Sequence, residues 1–173
     1  MLTRLVALAL LSAPVGAADF RGLNFGDSCA SVRSWEEARG SSAIPWTSPS
    51  RADLRAFKGR EYDRDLTIMY LCSDGSLFSG NYFFPSEPLD VAVGSYRSMY
   101  DLFVSTYGAP FVDNTPWQIG GSTPDKRIIS PDPRKYMVYW KTARLRTHLD
   151  LAPNLPTEKP GWRVVVVISA NKQ

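Results

Sequence analysis

Reactive side chains are scarce in this sequence. Among 173 residues there is one histidine, His148, and two cysteines, Cys29 and Cys72. One histidine cannot supply a multi-histidine zinc site. The chain has no Gly-x-Ser-x-Gly elbow, no His-Glu-x-x-His pair and no phosphate-binding Gly-x-x-x-x-Gly-Lys loop. No metal, no cofactor and no catalytic residue is therefore expected. Charge of one sign is also missing. Twenty basic residues stand against 17 acidic ones, for a formal charge of +3, too small an excess to expect nucleic acid as a partner. Long apolar runs are absent: Leu5 to Leu11 and Val164 to Ile168 both fall short of the ~20 residues that cross a bilayer. What is present is ordinary for a globular chain, with 44% hydrophobic, 12% aromatic and 21% charged residues.

The first 17 residues have the layout of a secretory signal peptide. Arg4 makes the opening positive, Leu5 to Leu11 is the apolar stretch, and Val15-Gly16-Ala17 offers small residues at a cleavage point. Cleavage removes 17 residues and one arginine, leaving 156 residues with a formal charge of +2. No cysteine follows that point at once, so no lipid anchor is expected, and the product should be periplasmic or secreted. In an oxidising compartment Cys29 and Cys72 can pair. Their bridge would close a loop of about 44 residues, worth about 4 kcal/mol in the chain-entropy picture.

The mature chain reads as a single α+β domain over residues 18–173, made of two halves at about 26–84 and 89–170. Cys29, Val32, Trp35 and Ala38 recur at helical spacing after the capping residues Asp27 and Ser28. Strand candidates follow at Asp53 to Gly59, Leu66 to Cys72 and Leu77 to Phe84, the last two joined at Asp74-Gly75. Tyr96, Met99, Tyr100, Phe103, Val104 and Tyr107 form a wide apolar stripe that Gly108 and Pro110 end. Then come Tyr136 to Lys141, Arg144 to Leu151 and Trp162 to Ser169. Val164 to Ile168 is apolar on both faces, which places the last strand inside a sheet. The expected fold is two helix-plus-three-strand halves forming a mainly antiparallel sheet, with both helices on one face.

The segment Phe20-Arg21-Gly22-Leu23-Asn24-Phe25-Gly26-Asp27-Ser28, with Val32 one turn on, resembles the opening of β-lactamase inhibitor protein-like domains and of the related small outer-membrane-assembly lipoproteins. The resemblance implies helices backing an antiparallel sheet and non-catalytic binding through its open face. It transfers no functional residue.

Binding is also what the residues favour. Gly108 to Arg134 is an unusually long connection, and it carries Phe111, Trp117 and Gln118. On the strand Arg144 to Leu151, alternation places Leu145, Thr147, Leu149 and Leu151 on one face and Arg144, Arg146, His148 and Asp150 on the other. Aromatic and arginine side chains are the usual anchors of protein interfaces. The candidate partner site is therefore Phe111, Trp117, Gln118, Arg144, Arg146 and His148, and the partner is a protein or a cell-envelope component. An inhibitor or immunity-type factor would fit. The alternative is an enzyme acting on an envelope polymer through His148 or the loop carboxylates Asp113, Asp125 and Asp132. The basic residues Arg51, Arg55, Lys58, Arg60 and Arg64 are interrupted by Asp53, Glu61, Asp63 and Asp65, and read as a solvated strand edge.

Overall fold

The structure is a computed structural model that describes residues 18–45, 53–115, 136–154 and 160–171. The leader-like segment 1–17 lies outside them. In chain order the elements are α1 (Val32–Ala38), β1 (Ser42–Ile44), β2 (Leu54–Glu61), β3 (Arg64–Ser73), β4 (Ser76–Phe83), α2 (Leu89–Tyr107), β5 (Val112–Asp113), β6 (Met137–Lys141), β7 (Leu145–Pro153) and β8 (Trp162–Ala170). The eight strands form one sheet in the order β1-β2-β3-β4-β8-β7-β6-β5. All seven neighbouring pairs are antiparallel.

This corrects the expected two helix-plus-three-strand halves. Each half contributes four strands, and the fourth strands, β4 and β8, join the halves into a single sheet. The missed strands are β1 and β5, of three and two residues. Neither is long enough to show a side-chain period in sequence.

Local chemistry sets the turns. Asp74 and Gly75 both have positive φ, at 52° and 76°, as a two-residue hairpin with the right strand twist requires. Tyr62 and Asp63 turn the β2–β3 hairpin the same way at φ 51° and 57°, with no glycine to announce it. A register shift between Leu71 and Cys72 leaves Phe78 exposed and turns Leu77 inward.

One face of the sheet builds the core. Phe57, Ile68, Tyr82, Val166, Leu149 and Val138 are register partners in sequence across β2, β3, β4, β8, β7 and β6, and all are buried. Both helices add their buried apolar side chains to this same cluster, α1 against β1 and β2, α2 against β7 and β8. Tyr96 meets Tyr136 edge-on at 5.8 Å between ring centres, and Phe103 meets Trp140 at 5.5 Å. No helix among the described residues is long and apolar enough to cross a membrane.

The inward face of α1 differs from the expected one. Trp35 is 38% exposed and Ala38 is exposed, whereas Glu36 is fully buried beside Val32. Cys29 and Cys72 are joined by a disulfide, with their Cα atoms 6.3 Å apart. It ties the turn ahead of α1 to the end of β3.

Candidate functional site

The sheet's second face carries no helix among the described residues. Register defines its rows. Ile44, Ala56, Met69, Asn81, Val167, His148, Tyr139 and Val112 form a line across all eight strands. Beside it runs Ser42, Lys58, Thr67, Phe83, Val165, Asp150 and Met137. On the other side lie Leu54, Leu71, Ser79, Ser169, Arg146 and Lys141. Ala56, Met69, Ser79 and Asn81 near the middle are buried, while the charged side chains lie in the rows on either side of the His148 row and beyond.

Those charges are one-sided. Among the described residues the face holds five basic side chains, Lys58, Arg60, Lys141, Arg146 and Arg163, against two acidic ones, Asp65 and Asp150. Every arginine–carboxylate pair among the described residues lies off this face: Arg21 with Glu36 and Glu61, Arg33 with Glu37, Arg39 with Glu61, and Arg144 with Asp19. On the face itself, His148 Nε2 sits 2.8 Å from Asp150 Oδ1 without hydrogen-bond alignment. Arg146 donates to Asn171 Oδ1 at 2.8 Å, and Arg163 sends two N–H groups to Asn154 Oδ1 at 3.0 and 2.9 Å. These acceptors are neutral amides. The amide on Arg146 orients its guanidinium group without cancelling the charge.

The sequence-derived candidates divide. Arg146 and His148 share this face, where the His148 ring stacks on Tyr139 with centres 4.2 Å apart. Burial, with Asp150 adding to it, raises the Tyr139 phenol above its ordinary range. Arg144 stands apart in the β6–β7 turn and pairs with Asp19 at 2.9 Å. Phe111 is 75% exposed at the sheet's edge, and its N–H donates to Tyr139 O at 2.7 Å. Trp117 and Gln118 lie outside the described residues, as do Asp125 and Asp132. Asp113 faces the core side of β5, opposite Val138. Its carboxylate accepts from the Tyr100 hydroxyl at 2.8 Å and from Thr115. Asp113 and His148 are therefore on opposite faces of the sheet and do not converge. Lys58, Arg60 and Arg163 were missed as members of this face. The alternation of Lys58 with Arg60 was the available signal, but without β1 beside it β2 read as an edge.

A second charged cluster lies in the core. Phe20 and Leu23 exchange backbone hydrogen bonds at 2.9 Å each, closing a tight turn with Arg21 at φ 49° and Gly22 at φ 86°. The turn delivers the Arg21 guanidinium to Glu36, with Nε–Oε1 at 2.8 Å and Nη2–Oε2 at 3.2 Å. Ser41 donates to the same carboxylate at 2.6 Å, and the Tyr70 hydroxyl donates to it too. Burial pushes the Glu36 carboxyl up, but the hydrogen bonds from Arg21, Ser41 and Tyr70 outweigh it and hold the group below its ordinary value. Burial likewise opposes the Arg21 charge and is outweighed by Glu36, so its pKa is raised. Four hydrogen bonds from three side chains satisfy one carboxylate here, leaving no open position for a substrate. The cluster holds the fold together.

No known protein family, curated protein or solved structure matches the chain, so its geometry stands as the ground for a functional reading.

Proposed function

We propose that this chain is an exported, non-catalytic binding protein, of the inhibitor or immunity type, that holds an acidic surface of a partner protein against its open sheet face. The observation that carries the reading is the five-to-two excess of basic side chains on that face, with no arginine–carboxylate pair there among the described residues. Such a surface attracts an acidic partner and sets its orientation more than it adds affinity. The leader-like start supports export, and the cysteine pair is consistent with an oxidising compartment. The resemblance of residues 20–28 to inhibitor protein-like domains points the same way.

The test is capture of a partner from periplasmic extract of the source organism, identified by mass spectrometry. Lys141→Glu with Arg146→Glu, on the open face, should lose the partner, as should roughly 0.5 M salt with the wild type. Arg33→Glu, on the helix side, should keep it, and the partner should be acidic. Equal recovery by the open-face variant would sink the reading.

A further inference from the structure

One end of the open face is hollowed into a cleft of about 650 Å³ between β2, β3, the end of β4 and the start of β8. That volume falls within the ~300–1,000 Å³ range of ligand pockets. Thr67 and the half-buried Phe83 lie side by side in register within it. Lys58 and Arg60 line it from β2, Arg163 from β8, and Asp65 is the one carboxylate among the lining residues. Among the described residues, neither Lys58 nor Arg60 makes an ion pair. Arg60 gives one N–H to the Asp63 carbonyl at 3.2 Å, and both side chains are exposed.

Spacing identifies the ligand. Lys58 and Arg60 are two residues apart on a strand, so their side chains leave the same face roughly 7 Å apart. An extended peptide presents alternate side chains at that same interval. We propose that the cleft is a subsite for an extended acidic segment of the partner, in which carboxylates at alternate positions meet Lys58 and Arg60 and an intervening apolar group lies over Phe83. The proposal rests on the open-face reading above and names the element of the partner that this end of the face takes. A free phosphate fits less well. The cations are spread along a strand instead of converging, no helix N-terminus is among the lining residues, and the floor is partly apolar.

The test is fluorescence anisotropy of the full exported protein with a labelled Glu-Thr-Glu-Thr-Glu-Thr peptide at low salt. The matching Gln-Thr peptide serves as the neutral control. The glutamate peptide should bind at least about tenfold tighter than the glutamine one, as loss of charge-assisted hydrogen bonds implies. Lys58→Ala with Arg60→Ala should remove about tenfold of that affinity, whereas Lys141→Ala with Arg146→Ala should change it less than about threefold. Circular dichroism checks that each variant is folded. Equal binding of the two peptides would overturn the subsite, and so would displacement of the glutamate peptide by an equal concentration of inorganic phosphate. A loss confined to the Lys141/Arg146 variant would overturn the cleft but leave the open-face reading standing. No change in either variant would overturn both.

Discussion

The two halves of the molecule have the same order of elements and hold their helices down by different chemistry. In the first half, α1 has only seven residues, and its buried side chains are Val32 and Glu36. So short a helix buries little apolar area, and it is secured by the Arg21–Glu36–Tyr70–Ser41 network and by the disulfide just ahead of it. In the second half, α2 has 19 residues and buries Ala92, Val93, Tyr96, Met99, Tyr100 and Phe103. Apolar area and edge-to-face aromatic pairs do the work there. The difference teaches that one sheet can be backed by a directional polar clamp at one end and a broad apolar contact at the other. The two should answer differently to pH and to oxidation state.

The largest effects probe both clamps at once. Arg21→Ala strands the Glu36 carboxylate in the core and should cost about 3–5 kcal/mol. Phe103→Ala should cost a similar ~3–5 kcal/mol by opening a cavity under α2. Urea denaturation of both variants measures this. The comparison breaks if Arg21→Ala is nearly neutral.

Redox sensitivity comes next. Replacing Cys29 and Cys72 together by serine should cost about 2–4 kcal/mol. In hydrogen exchange, the loss of protection should be concentrated around α1 and the end of β3, with α2 opening less. Equal loss across both helices would mean that the halves are not held separately.

Acid provides a finer test. The folded-state pKa of Glu36 is depressed, so the unfolded chain binds this proton more readily than the folded one. The stabilisation is present above about pH 4.5 and is lost as pH falls through the lower folded value. The stability gap between wild type and Glu36→Gln should therefore narrow on acidification, while the gap for Phe103→Ala stays level. Smallest of all, Tyr70→Phe removes one hydrogen bond to the Glu36 carboxylate and should cost about 1–2 kcal/mol.

Where the sequence was legible, a period was long enough to count. The α2 stripe from Tyr96 to Tyr107, the Asp74-Gly75 turn and the interior position of Val164 to Ile168 all follow from local rules. So does the sidedness of Arg146 and His148, because β7 alternates over nine residues. The inward face of α1 did not follow. Helical periodicity favoured Trp35 and Ala38, but the residue that buries is Glu36, because Arg21 reaches it from a turn 15 residues earlier. Pairing of buried charges leaves no periodic trace. The same limit hid the open face as a unit, since Lys58 and Arg60 join Arg146 and His148 only through register across β3, β4 and β8.

The seam between β4 and β8 also has a consequence in time. Ser79 pairs with Ser169 and Phe83 with Val165, so the centre of the sheet joins residues more than 80 positions apart. Until β8 is in place, β4 is a bare strand edge that another chain could occupy, and β1–β4 have no common sheet with β5–β7. Contacts this distant in sequence slow folding. β8 is the keystone of the sheet: without it, β4 and β7 are two unfinished edges awaiting a partner.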